Sequence, residues 1–375
     1  MIYSDFKGLK LSSLGFGTMR LPVINGEDAK IDIEKAREMF DYALKNGVNY
    51  FDTAWGYHCG NSERAVGEIL SAYPRESYYL ASKFPGYDLD NMGKIESIFE
   101  EQLKKCRTEY FDFYLVHNVC ENNIDEYLDE KYGTLRYLLK QKANGRIKHL
   151  GFSIHGNLET MNRFLEVYGE HMEFCQVQLN YIDYHFQNAK AKLEVLEKLG
   201  IDVWVMEPLR GGKLANLPKD AKEKVESIRE GESAVSMAFR YLQSFSCIKV
   251  VLSGMSDFAQ ISDNIRIFSE RKPTDEKENA YLYSVASKLV GGSVPCTSCR
   301  YCTSHCVKEI DIPRMIELYN EHVFTGGGFI APMALEAIPR EKHPDACIGC
   351  RSCEAVCPQE IKISEVLSDF AEKLK

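Results

Sequence analysis

The segment Tyr50-Phe51-Asp52-Thr53-Ala54-Trp55-Gly56-Tyr57-His58 opens as an aromatic, β-favouring run and closes on polar and turn-forming residues. Its flanks are of the other kind. Residues 33–45 and 62–72 carry apolar side chains at helical spacing, and Gly47 follows the first of them, where a helix C-cap is expected. The same unit recurs along the chain. Strand-forming runs lie at 14–19, 50–54, 78–83, 112–117, 149–154, 174–180, 202–207 and 248–254. Helical patterns at 95–106 and 193–199 fall between them, and Gly145 and Gly200 again punctuate helix ends. Eight strand-then-helix units in roughly 250 residues are the count of a (β/α)8 TIM barrel, an α/β fold. A doubly wound open sheet is the alternative, but no GxGxxG follows the first strand. The barrel is expected to occupy residues 1–285.

The remaining residues, 286–375, form a second domain of different composition. The chain has 13 cysteines in 375 residues, and eight of them fall in the last 80. They form two runs, Cys296-x2-Cys299-x2-Cys302-x3-Cys306 and Cys347-x2-Cys350-x2-Cys353-x3-Cys357, and each cysteine of the first recurs 51 residues later. Arg300 recurs as Arg351, and Ile310 and Ile312 recur as Ile361 and Ile363, so the unit is duplicated. Each run leads into a short helical pattern, at 314–319 and 364–373. Closely spaced thiolates suit the corners of a 4Fe–4S cluster, and the fourth cysteine of such a run reaches the other cluster in two-cluster ferredoxins. Cys296, Cys299, Cys302 and Cys357 are therefore assigned to one cluster, and Cys347, Cys350, Cys353 and Cys306 to the second. Zinc would favour two separated CxxC pairs. Val307 replaces the proline that follows the second run as Pro358, and all four ligands of the first run are intact. Between the runs, 312–323 has apolar residues at helical spacing and precedes Gly326-Gly327-Gly328. This tail resembles the mainly helical two-cluster ferredoxin-like modules of respiratory-type oxidoreductases.

Composition sets further bounds. Apolar residues make up 45%, enough for a large core. Lys plus Arg number 46 against 55 Asp plus Glu, a net charge of −9 that argues against nucleic-acid binding. The longest apolar stretches, near 203–205 and 250–252, are strand-sized, so no membrane insertion is expected. The first residues lack a charged segment leading into an apolar run, so no signal peptide is expected. An odd number of cysteines in such a chain fits metal binding in a reducing compartment, and a cytoplasmic location is expected.

Chemistry in a TIM barrel sits at the C-terminal ends of its strands. Asp52 ends the second strand, Tyr57 lies just past it, Lys83 ends the third and His117 ends the fourth. A single lysine or histidine at a strand end is more often a solvated rim residue. The four together form a coherent set. A phenol with a pKa near ~10 is a poor acid at neutral pH; an adjacent ammonium is expected to lower that value, and a carboxylate behind the lysine keeps it charged. A neutral imidazole beside the phenol can hold a carbonyl oxygen in line.

At these residues the chain resembles the aldo-keto reductases. The resemblance covers residues 11–265. It includes Gly15-Phe16-Gly17-Thr18-Met19-Arg20-Leu21-Pro22, Asn61-Ser62-Glu63 after the tyrosine, and Gly145-Arg146-Ile147-Lys148-His149-Leu150-Gly151-Phe152-Ser153. With the tail, the whole chain resembles the iron–sulfur branch of that family. The resemblance implies that Asp52, Tyr57, Lys83 and His117 are the catalytic tetrad, with Tyr57 the general acid. It also implies NADP or NAD contacts. Gln178 and Ser153 match carboxamide ligands, although Ile154 replaces the usual asparagine. Met206 stands where many members stack a tyrosine, and a thioether can make that aromatic contact. Leu209 and Gly211, in Pro208-Leu209-Arg210-Gly211-Gly212, match the pyrophosphate loop. Ser253, Gly254, Met255, Gln260 and Asn264 match the adenosine-phosphate segment. Gln260 stands where NADP-preferring members often place arginine, for which Arg210, Lys213 or Arg266 could compensate.

The expected activity is nicotinamide-dependent reduction of an aldehyde or ketone, or the reverse alcohol oxidation, on a small molecule. The two 4Fe–4S clusters would exchange electrons with a partner protein. Either a partner or a bound flavin would have to split an electron pair between the two chemistries, and nothing in the sequence signals a flavin. Two alternatives stand beside this reading: an ordinary reductase with structural or sensing clusters, and an electron-transfer protein with a non-catalytic barrel. Trp55, Tyr87, Tyr181 and Tyr184 suggest an apolar or aromatic substrate pocket, and Cys59 a small pocket-wall thiol.

Overall fold

A computed structural model describes residues 1–297 and 299–375. The chain divides into two compact units, Met1–Ala286 and Ser287–Lys375. Among the described residues no helix is long and apolar enough to cross a membrane.

The first unit opens with strands β1 (Tyr3–Phe6) and β2 (Leu9–Ser12), an antiparallel hairpin. Eight parallel strands then close a barrel: β3 (Leu14–Gly17), β4 (Tyr50–Asp52), β5 (Tyr79–Phe84), β6 (Phe111–Val119), β7 (Ile147–Ile154), β8 (Phe174–Gln178), β9 (Asp202–Met206) and β10 (Ile248–Gly254). Strand β10 pairs with both β3 and β9, which completes the ring. All eight runs expected from sequence are strands of this barrel. Helices such as Ile33–Lys45 and Ile95–Lys105 alternate with them, and Gly47, Gly145 and Gly200 take the positive φ that follows a helix end.

The hairpin was not among the eight units read from sequence. Its two-residue turn is Lys7-Gly8, with φ of 50° and 86°, the geometry that lets twisted strands meet directly. The hairpin carries Phe6 into the floor of the barrel, where the ring meets Trp204 edge-on at 5.0 Å and joins Phe113 and Phe174. That floor is an apolar plug, which leaves the opposite mouth for chemistry.

Two irregularities shape the mouth. In β6 the register with β7 slips between Val116 and Val119, so two residues, His117 and Asn118, face Ser153 alone. Asn118 has φ 54°, and its N–H donates to Ser153 Oγ at 2.7 Å. The strand therefore continues two residues past His117 instead of ending there, and the bulge re-aims the histidine. The second irregularity follows β4, where His58 and Cys59 both take positive φ in the turn Tyr57–Gly60. The His58 ring ties this turn down by accepting from Leu21 N–H at 3.0 Å and facing Asp28 O at 2.9 Å.

Helix Ser62–Leu70 anchors the turn that carries Tyr57, and it does so by close approach. A Cβ on Gly67 would lie 2.3 Å from the Lys105 carbonyl oxygen and 2.6 Å from the Cys106 carbonyl carbon. Those are backbone atoms and cannot swing aside, so Gly67→Ala is expected to cost roughly 1–3 kcal/mol of stability, as overpacking does. Urea unfolding followed by fluorescence of Trp55 and Trp204, the chain's two tryptophans, both in the barrel, measures it. An unchanged midpoint would contradict the packing described.

The second unit is built from two copies of one turn-and-helix motif. Helices Ile312–Thr325 and Ile363–Lys373 follow the two cysteine runs, and Ile330–Glu336 lies between them. The first helix extends past the 314–319 core and covers the whole 312–323 stretch of helical spacing read from sequence; it ends at Gly326, whose φ is 71°. The backbone repeats along with the sequence: Arg300 and Arg351 have φ of 64° and 60°, and Glu309 and Glu360 have 51° and 52°. The repeated isoleucines, Ile310, Ile312, Ile361 and Ile363, are all buried in one core with Met315, Leu318, Leu367 and Phe370.

Candidate active site and cluster loops

The four strand-end residues come together at the barrel mouth. Lys83 Nζ donates to Asp52 Oδ1 at 2.5 Å and to the Thr53 carbonyl at 2.8 Å, and both ends of this ion pair are buried. The same ammonium lies 5.1 Å from the centre of the Tyr57 ring. Tyr57 and His117 meet edge to face at 6.2 Å, and Tyr87 flanks the imidazole from another side at 5.2 Å. The Tyr127 hydroxyl donates to the His117 carbonyl at 2.8 Å, which fixes the bulge. His117 Nδ1 is buried and has no hydrogen-bond partner among the described residues.

The electrostatics follow from burial and one cation. Burial opposes the Lys83 ammonium, but Asp52 and then Tyr57 outweigh it and hold the lysine above its ordinary range. Burial also dominates at Tyr57, raising the phenol even though Lys83 pulls it down. The lowered tyrosine value expected from sequence is therefore corrected. In the free protein desolvation exceeds the lysine's effect, and Tyr57 keeps its proton at neutral pH. His117 is pushed well below 6.5 by burial, then by Lys83 and His155, so it is neutral. His155 is lowered to about 4 by burial and Lys192.

These two histidines set a pH dependence. The unfolded chain protonates them near pH 6.5 while the fold resists, so stability falls as pH drops through that value toward about 4. We expect the urea midpoint of the barrel to decline over this window, with a shallower decline in His155→Gln. A midpoint constant from pH 6.5 to 4.5 would contradict the neutral assignment.

A groove runs along the C-terminal ends of β9 and β10. Of the residues matched to cofactor contacts, it is lined by Leu209, Gly211, Ser253, Gly254, Gln260 and Asn264. Asn264 Nδ2 donates to Ser253 Oγ at 3.0 Å, bracing its wall. Met255 is fully buried and does not line it. Gln178 and Met206 are register partners across β8 and β9, and Gln178 Nε2 donates to Asp183 at 2.9 Å, leaving its carbonyl oxygen available. Ser153 is buried beside the bulge.

Several side chains differ from expectation. Arg210 is buried against Asp183 at 2.9 Å and is not a groove residue, and Arg266 pairs with Asp263 at 2.7 Å. Tyr181 is fully buried against Tyr241, and Tyr184 stacks on Tyr283, so neither belongs to a substrate pocket. Trp55 is covered by Lys105 Nζ at 3.5 Å from its ring centre. Among the groove residues missed are Arg20, from the turn after β3, and Glu207, just past the end of β9. Only closure of β10 onto β3 brings Arg20 to this segment, so local pattern gave no signal for it.

The cysteine loops cross over. One cavity is lined by Cys296, Cys299 and Cys302 of the first run together with Cys357 of the second, walled by Pro313, Ile316, Ile361 and Ile363. Cys353 of the second run in turn neighbours both Cys347 and Cys306. Among the described residues no three His, Cys, Asp or Glu side chains stand at the spacing of a single-ion site. Four thiols around an apolar-walled cavity fit a cuboidal cluster by donor type and by arrangement. Cys299 and Cys350 are exposed, whereas Cys302 and Cys353 are buried.

Residues 13–286 match the family model described as Aldo/keto reductase family. The chain belongs to that family. Residues 295–362 of the reductase match a 4Fe-4S dicluster domain. L-galactose dehydrogenase of Arabidopsis thaliana is 25% identical over 290 residues, covering 70% of this chain and 86% of that one. The NADH-specific methylglyoxal reductase of Escherichia coli (strain K12) is 28% identical over 228 residues, 55% and 66% of the two chains. Among solved structures, the holo form of aldo-keto reductase AKR11C1 from Bacillus halodurans superposes with a TM-score of 0.60 at 24% identity, covering 74% of this chain and 93% of that one. An aldo-keto reductase from Klebsiella pneumoniae in complex with NADPH gives 0.59 at 18% identity, with 76% and 96% covered. The reductase is thus a barrel oxidoreductase that carries a dicluster domain.

Proposed function

We propose that the reductase converts an aldehyde or ketone to an alcohol, and the reverse, at the Asp52–Tyr57–Lys83–His117 cluster, with NADH or NADPH in the β9–β10 groove. The observation that carries this reading is the buried Lys83–Asp52 pair set beneath a protonated tyrosine and a neutral histidine. Reduced nicotinamide, when bound, supplies the hydride. The chain's own residues do the rest. Tyr57 Oη holds the proton that the carbonyl oxygen needs, and Lys83 stabilises the phenolate that remains. Asp52 keeps the lysine charged in a site where burial favours its neutral form. His117, neutral, carries one N–H donor and one acceptor nitrogen, so it can orient the oxygen through its N–H without competing as an acid. Gln178 offers a carbonyl acceptor to a carboxamide, and Gly211 and Gly212 give an anion close access to backbone amides.

The eight cysteines would hold two 4Fe–4S clusters, Cys296, Cys299, Cys302 and Cys357 around one and Cys347, Cys350, Cys353 and Cys306 around the other. Such clusters, when bound, pass single electrons. The experiment that tests the barrel reading is calorimetric titration of NADH and NADPH, with turnover assayed on short aldehydes. Binding of one of them together with aldehyde-dependent oxidation is expected; binding of neither would overturn it.

A further inference from the structure

The groove that would take the dinucleotide already contains an anion supplied by the protein. Glu207 directly follows β9 with φ 55°, a left-handed conformation uncommon for a residue with a side chain. Its carboxylate accepts a hydrogen bond from the Gly211 N–H of the same loop. A Cβ on Gly211 would lie 3.8 Å from Glu207 Oε2 and 3.9 Å from an Arg20 guanidinium nitrogen, so the carboxylate, the cation and the loop backbone converge on one spot. All three line the groove.

We propose that Glu207 is an internal stand-in for the cofactor's diphosphate: it satisfies the loop amide in the free protein and must take up a proton before a dinucleotide binds. The proposal rests on the nicotinamide reading above. Its physical basis is like-charge repulsion. A diphosphate brought to the Gly211 amide would meet a carboxylate within a few ångströms, in a site partly shielded from water. The groups facing Glu207 are Arg20, the Gly211 amide, Asp183 and Arg210, with Tyr57 across the mouth. The two arginines favour the carboxylate, while burial and Asp183 oppose it; burial is the largest influence and raises the acid above its ordinary range. An arriving diphosphate adds negative charge and pushes it further in the same direction, so binding draws a proton from solution. Arg20 then becomes the counter-ion of the ligand.

The test is titration calorimetry of NADH and NADPH into the anaerobically purified full-length protein, in buffers of different ionisation enthalpy, between pH 7 and 9. The wild-type protein is expected to take up a proton on binding. Its affinity should fall with rising pH, approaching tenfold per unit where one full proton is taken up. Glu207→Gln, nearly isosteric and uncharged, should bind without proton uptake and more tightly than wild type at pH 9. Wild-type binding that is pH-independent and releases or absorbs no proton overturns the proposal while leaving the nicotinamide reading standing. Absence of binding in both proteins overturns the two together. The proton count is read on the wild type, so the outcome does not depend on how well the variant folds.

Discussion

Tyr57→Phe is expected to lose carbonyl reduction by roughly 10²–10⁴-fold, the usual contribution of a positioned general acid. The substitution removes one oxygen and its proton and leaves a ring that fills the same space beside His117 and Lys83. Tyr57 does not line the β9–β10 groove, so cofactor affinity should stay within about the twofold scatter of a neutral change. The loss should therefore appear in kcat. Lys83 is a poorer first target. Removing it strands the buried Asp52 carboxylate, and breaking such a pair costs about 3–5 kcal/mol. A Lys83→Met enzyme that is inactive would therefore not separate catalysis from folding, whereas Tyr57→Phe does. A variant turning over near the wild-type rate would remove Tyr57 from the role of acid.

The second large effect is on the iron. If Cys357 completes the set begun by Cys296, Cys299 and Cys302, then Cys299→Ala combined with Cys357→Ala damages one cluster only, and iron falls from about eight to about four per chain. Combining Cys357→Ala with Cys350→Ala damages both, and iron falls toward zero. Self-contained runs would give the reverse pattern, so the two double variants distinguish the arrangements by elemental analysis alone. Cluster loss should also destabilise the second unit, because the energy of ligation is part of its folding energy. Its own core is a handful of isoleucines and the apolar faces of three helices, with the cysteines embedded among them.

Much of this was legible in the sequence, for local reasons. Each barrel strand is a short β-favouring run bounded by an amphipathic helix, so the eight strands could be counted without tertiary information. The cysteine runs carry their own spacing, and the 51-residue repeat extended into the backbone angles at Arg300, Arg351, Glu309 and Glu360. What escaped depends on distance or solvation. The β1–β2 hairpin is two short strands whose purpose, seating Phe6 on Trp204, lies across the barrel floor. Tyr181 and Tyr184 looked like pocket residues because they follow β8, yet both turn outward onto Tyr241 and Tyr283. Arg210 looked like a phosphate ligand, but Asp183 claims it. The Tyr57 pKa was misjudged because an ammonium can be inferred from a motif while the depth of burial cannot.

The joining of the two units is the chemical tension in the protein. Hydride chemistry moves electrons in pairs and a 4Fe–4S cluster moves them singly. A barrel with its own proton donor does not need clusters to reduce a carbonyl.

The most direct measurement is therefore isotopic. The protein, purified anaerobically, is given NADH or NADPH deuterated at the transferable position together with a panel of aldehydes, and the alcohol products are analysed by mass spectrometry. The account predicts deuterium on the former carbonyl carbon with wild-type protein and next to none with Tyr57→Phe. Oxidation of the cofactor accompanied by bleaching of the clusters, with no deuterium in any alcohol, would contradict it.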